Sequence, residues 1–203
     1  MNTRRQAPTT QQIIDRLIHE LRDGKTALQI ANGLRDGDPI VIQIAPVFFG
    51  MTIEGNLYLA QMYAAKMYDT HAGTVAINAL IQRCEDEAMI FKHGTEAQVL
   101  AAVAWCRETV ASIQTTLRAI TKRRNQALAH LDPRFVQDPV ALNTSAALTI
   151  SDLVTVFERT DKILQRIDSV HSGTIGGLGY LGSNDYKVVL DLIAKRNKSA
   201  GER

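Results

Sequence analysis

From Val103 to Ile120 an apolar residue returns after alternating steps of four and three or close to it, at Val103, Cys106, Val110, Ile113, Leu117 and Ile120. That seam fits one face of an α-helix and no strand, because side chains of a strand change face at every residue. The same period governs almost the whole chain. After Thr9 and Thr10, the run Ile14, Leu17, Ile18, Leu21, Leu28 and Ala31 continues to "RDGDP", predicting a first helix bent near Gly24. The segment "IVIQIAPVFFGMTIEGNLYLAQMYAAKMYD" is apolar on nearly every side, which predicts a buried central helix entered near Pro46. Its β-branched start, "IVIQI", leaves a short strand open as the alternative. A third helix is expected from about Thr74 to Phe91, ended by Gly94, and "TEAQ" from Thr95 is a capping box for the seam helix. Beyond a loop holding Pro133 and Pro139, "TISDLVTVFERTDKILQRIDSV" predicts a fifth helix ending at Gly173. "SNDYKVVLDLIAKRNK" predicts a short sixth.

These segments predict an all-α fold, an antiparallel bundle of about five to six helices in a single domain over residues 1–203. Its core spans about 10–172, with a Gly-rich connector at 172–183 and a C-terminal helix at about 184–197. Aromatic residues make up only 5% of the chain, which fits helices better than a β-sandwich. A formal net charge of +2 leaves any attraction for nucleic acid to local clusters such as Lys122, Arg123 and Arg124. Cys84 and Cys106 stand alone, with neither CxxC spacing nor a disulfide framework, as expected of a protein kept in a reducing cytoplasm. The polar start "MNTRRQAPTTQQ" has no signal core, and no stretch is long and apolar enough to span a bilayer, so no membrane partner is expected.

At its C-terminal end the seam changes character. The next two seam positions after Ile120 are Arg124 and Ala127, within "TKRRNQALAHLDP". An arginine in line with an apolar ridge has to be covered, snorkel to an edge, or face a cavity or a partner. His130 lies on the flank of the seam, about 120° around the axis from Arg124 and about 9 Å along it. The two side chains suit opposite walls of one groove, particularly with a second copy of the helix facing them. Arg123 shares the azimuth of His130, so helix geometry leaves open which arginine works with the histidine. Asp132 precedes Pro133, which puts His130 in the last turn, where the helix dipole favours its charged form. A histidine titrating near neutrality suits proton transfer in either direction.

"RNQALAH", Arg124 to His130, resembles the Arg-x(4–6)-His signature of the HEPN superfamily, with a polar residue following the arginine. The longer "RNQALAHLD" is similar to its abortive-infection U branch, the AbiU2-like proteins. "KMYDTHAGTVAINALIQ", the motif helix and "TISDLVTVFERTDKILQRI" also follow in that branch's order, so the resemblance covers most of residues 10–170. "HSGTIGGLGYLGSND" departs from it. The resemblance implies metal-independent cleavage of RNA at a dimer interface where two motif helices face one cleft. His130 would exchange protons with the ribose 2′-hydroxyl or the departing 5′-oxygen, and Arg124 would hold the scissile phosphate. Asn125 would bond the phosphate or orient the arginine, Lys122 and Arg123 would attract the RNA backbone, and Asp132 is a possible support. No cofactor and no metal are implied. The implied partners are RNA, a second copy of the chain, and a cognate antitoxin or nucleotidyltransferase; the implied setting is antiphage defence or a toxin–antitoxin pair.

Other readings stay open beside this one. Arg124 and His130 also suit a helix end decorated with dipole-compensating cations, which would make the protein a catalytically silent interaction module. RNA binding without turnover is a third reading. Arg166 and His171 in "RIDSVH" repeat the short spacing on another helix end, with an apolar residue after the arginine. His71 has no metal-ligand partner at i+3 or i+4. His19 and Glu20 read as helix surface, Trp105 as half-buried off the seam, and "GTIGGLGYLGS" as a connector without the phosphate-loop pattern.

Overall fold

Thr9 opens the first helix with a reciprocal cap: its hydroxyl accepts from Gln12 N at 3.2 Å, and its own N–H donates to Gln12 Oε1 at 2.9 Å. The helix that follows, α1 (Thr10–Arg35), runs without interruption through Gly24. Asp38 accepts from Ile40 N at 2.9 Å and starts a short α2 (Pro39–Ile44), so "IVIQI" is helical and the strand alternative falls. Pro46 occupies the first turn of α3 (Pro46–Met67), where a missing N–H costs nothing. Then come α4 (Ile77–Asp86) and a single 3-10 turn at Ala88–Ile90. The expected Thr95 cap is present, with Gln98 N donating to Thr95 Oγ1 at 3.3 Å and Thr95 N to Gln98 Oε1 at 2.9 Å. It opens α5 (Glu96–Ser112), followed by α6 (Gln114–Arg123), α7 (Ile150–His171) and α8 (Asp185–Gly201). The computed structural model describes residues 7–71, 73–91, 93–125, 144–173 and 185–201, and among them it is all-α. His130, Asp132 and residues 174–183 of the connector lie outside the described residues.

The seam helix is two helices, not one. All six seam residues from Val103 to Ile120 are buried, yet the backbone turns at Ile113. Ser112 Oγ donates to Thr109 O at 2.6 Å, occupying the carbonyl that the Ile113 N–H would use in a continuous helix. Ile113 N bonds instead to Val110 O at 3.2 Å, three residues back. A hydroxyl competing for a helix carbonyl in this way bends the chain, and here it re-aims α6 without exposing the seam.

The core is built on α1, which packs along α3 and also against α4 and α7. Ile14, Leu17 and Leu21 from α1 meet Leu80, Val99, Cys106, Val156, Phe157 and Leu164 in one cluster. At Gly24 the packing is closest: an added Cβ would lie 2.7 Å from Phe157 Cε1 and Cζ and 3.0 Å from Tyr63 Cβ. The absence of a side chain there lets the Phe157 ring lie against the α1 backbone. Glu20, expected on the surface, is only 4% exposed, because its carboxylate accepts from Lys66 Nζ at 2.7 Å and pairs with Arg16. Trp105 is half-buried against the core, as its place off the seam predicts. The buried Cys84 and Cys106 thiols are each pushed up to about 12 by burial, so neither supplies a thiolate nucleophile.

The segment expected to be central is buried on one side only. Ala60, Ala64, Ala65 and Met67, in the second half of α3, are in the core. In its first half only Phe49 is buried, while Val47 is 74% and Met51 71% exposed. Phe49 joins Leu34 and Val41 in a second, smaller cluster that Tyr186, Leu190 and Ile193 of α8 pack against.

Candidate functional site

Three successive residues after α3 begin the site. Tyr68 is buried, and its hydroxyl lies 2.8 Å from Thr160 Oγ1 on α7. Thr160 donates its one proton to Val156 O at 2.7 Å, so Tyr68 is the donor to Thr160. Burial pushes the Tyr68 hydroxyl up to about 12 and keeps it neutral. The next residue, Asp69, is thereby carried to the end of α6. A tight turn then leads to α4, with Thr74 N donating to His71 O at 3.2 Å and Gly73 at φ +81, a region that side chains avoid.

Asp69 is the hub. Its Oδ2 takes a 3.3 Å bond from Arg124 Nη1. Its Oδ1 lies 2.6 Å from His71 Nδ1 and accepts from the His71 backbone N–H at 3.1 Å. The hydrogen bond from His71, aided by the charge of Arg124, holds the Asp69 carboxyl below the usual carboxylate range. Because the folded-state value is depressed, Asp69 contributes stability above the ordinary carboxylate range and loses it as pH falls through its own lower value. The melting temperatures of the wild type and Asp69→Asn should therefore differ above the ordinary carboxylate range and converge as pH falls below it. A difference that stays constant down to the acid limit would show that the carboxylate charge does not matter.

Arg124, at the seam position, has a side chain only 17% exposed. Its Nε donates to Asn125 Oδ1 at 2.9 Å, which is the geometry of an orienting partner. With Nε on Asn125 and Nη1 on Asp69, Nη2 has no hydrogen-bond partner among the described residues. The guanidinium is thus held from two sides and keeps donors for a ligand. On one side of the Arg124–Asp69 pair is a cleft of about 440 Å³, lined by Tyr68, Asp69 and Thr70, by Asn78 of α4, and by Gln114, Leu117, Arg118, Thr121 and Lys122 of α6. On the other side a second depression of about 300 Å³ is bounded by Leu59, Met62, Tyr63 and Lys66 of α3.

The two remaining cations are differently placed. Lys122 Nζ donates to Ser145 O at 3.1 Å while still lining the cleft. Arg123 Nε donates to Ala146 O at 2.7 Å, and burial lowers its pKa. Both bonds tie the end of α6 to the segment that leads into α7. Of the sequence candidates, Arg124, Asn125 and Lys122 therefore share one cleft, and Arg123 is turned toward the chain; His130 and Asp132 lie outside the described residues. Arg166 and His171, the second match to the short spacing, line different depressions from this one. Asp69 was not among the sequence candidates. Its only signal in the sequence is its place in "MYDTHAG", which does not reveal an ion-pair partner 55 positions away. Among the described residues no three His, Cys, Asp or Glu side chains gather as ligands for a metal ion, and no helix is long and apolar enough to cross a membrane.

No curated protein and no solved structure matches the chain. The HEPN family model described as AbiU2 matches residues 37–196, a span that takes in Asp69, the whole of α6, the Arg124–His130 motif and α7. On that match, the chain belongs to the AbiU2 family of the HEPN superfamily.

Proposed function

We propose that the protein is a metal-independent endoribonuclease of the HEPN type, acting in antiphage defence or in a toxin–antitoxin pair. The observation that carries this reading is the guanidinium of Arg124, braced by Asp69 and Asn125 at the edge of a cleft with Nη2 uncommitted among the described residues. A phosphate oxygen placed there would meet a charge-assisted donor whose orientation is already fixed, so little reorganisation accompanies the gain of charge in the transition state. In the reaction, His130 accepts the proton of a ribose 2′-hydroxyl as the 2′-oxygen bonds to the neighbouring phosphorus. The bond from phosphorus to the 5′-oxygen breaks, and that oxygen takes up a proton. The products are a 2′,3′-cyclic phosphate and a 5′-hydroxyl end. Since the nucleophile is the 2′-hydroxyl, DNA is not a substrate. A second copy of the chain supplies the facing wall of the cleft, in line with the paired motif helices of the family.

Incubating purified protein with a mixed RNA pool in excess chelator tests the reading. Fragments ending in 2′,3′-cyclic phosphate are expected from RNA and none from DNA of the same sequences. Intact RNA under varied salt and pH would overturn it. The exposed apolar face of α2 and the first half of α3 favours a second reading, a helical interaction module without turnover. That reading predicts intact RNA together with a stable complex on this face.

A further inference from the structure

The cleft beside Arg124 is larger and chemically richer than a phosphate requires. Along α6 and the turn that follows it, Gln114, Arg118, Thr121, Lys122 and Asn125 recur at three or four residues, a polar stripe about 16 Å long that ends next to the braced guanidinium. Asn78, in the first turn of α4, faces this stripe across the cleft. The side chains of Asn78, Gln114, Arg118 and Thr121 have no hydrogen-bond partner among the described residues. Two carboxamides so placed offer carbonyl acceptors as well as N–H donors. A phosphate has only acceptors, so it would leave both carbonyls unused. A nucleobase edge presents donors and acceptors together. Leu117 gives the cleft an apolar floor, and the planar guanidinium of Arg118 suits stacking on a base. The volume of about 440 Å³ falls in the range of small-molecule sites.

We propose that this cleft is a nucleotide subsite: it takes one unstacked base of single-stranded RNA, with Asn78 and Gln114 bonding the base edge and Arg118 stacking on its plane, beside the phosphate held by Arg124. The base must be unpaired, since pairing would occupy the edge that the amides read. The inference deepens the ribonuclease reading and rests on it for the placement of the phosphate. It makes Asn78 and Gln114 determinants of which nucleotide flanks the cleaved bond.

The test uses the full chain and a fluorescent heptanucleotide carrying 2′-O-methyl groups throughout, which cannot be cut, against the same strand with its central base removed. The base-bearing strand should bind about tenfold more tightly than the abasic one. The combined Asn78→Ala and Gln114→Ala variant should abolish that difference, and Arg118→Ala should reduce it. All three side chains are exposed, so the fold is not at stake, and circular dichroism verifies it. Equal binding of the two strands by wild type, no binding of either, or an unchanged preference in the double variant would each overturn the subsite. Cleavage of unmodified RNA is scored separately. Base-dependent binding without cleavage would retain the subsite and refute the nuclease, whereas cleavage without base discrimination would do the reverse.

Discussion

Arg124→Ala should lower the rate of RNA cleavage by about 10²- to 10³-fold, the usual cost of removing one fixed donor from a developing negative charge. His130→Ala should lose about 10²- to 10⁴-fold, because a positioned proton acceptor goes with it. Asp69→Asn should fall between these variants and wild type, at about 10- to 100-fold, since it keeps a hydrogen-bonding group but loses the charge that fixes the guanidinium. The ordering separates a reacting group from one that aims it: a positioning residue can be partly replaced by another hydrogen-bond acceptor, while the phosphate ligand cannot. Arg124→Lys gives a sharper version. A lysine carries the charge but lacks the forked geometry that serves Asp69, Asn125 and a ligand at once, so it should recover little activity. Rates are compared under single-turnover conditions with melting curves of each variant. Cleavage by Arg124→Ala at the wild-type rate would end the case for this site.

The largest stability effect should come from Phe157, buried on α7 with its ring against Gly24 of α1. Phe157→Ala should cost about 3–5 kcal/mol, the sum of lost burial and an unfilled cavity. Gly24→Ala alone should also destabilise. An alanine gains about 1 kcal/mol of helix propensity over glycine, but its methyl would lie 2.7 Å from the buried Phe157 ring. Moving that ring costs about 1–3 kcal/mol. In the Phe157→Ala background the closest obstruction is gone and only the 3.0 Å approach to Tyr63 Cβ opposes the propensity gain, so the same Gly24→Ala change should cost much less. Urea denaturation of the two single variants and the double variant measures this coupling. Additive effects would mean that the glycine and the ring do not meet.

Much of this architecture was readable from local patterns. The seam from Val103 to Ile120 is buried at every position, and the Thr95–Gln98 cap is made as its spacing requires. The bounds of α7 follow from "TISDL" and Gly173, because caps and apolar period are short-range signals that one segment carries by itself. Three features escaped because their causes lie elsewhere in the chain or in side-chain chemistry. The break at Ile113 comes from one serine hydroxyl outbidding a backbone N–H for Thr109 O, and the apolar period runs straight through it. Glu20 looks like surface until Lys66, 46 residues later, arrives beside it. Asp69 meets Arg124 only through the packing of α3 against α6, which no window of sequence contains. The first half of α3 errs in the opposite direction. Apolar composition predicts burial there, but a helix apolar all round can be covered only where neighbours exist, and α1 and α8 reach just one side.

The bond between Tyr68 and Thr160 sits at the centre of the bundle, one residue from the carboxylate that steers Arg124. Warming that frays the outer turns leaves this anchorage untouched, and the acid can drift only once α7 itself comes adrift. Heat inactivation should accordingly coincide with melting instead of preceding it, so that a plot of surviving activity against temperature would overlay the denaturation curve.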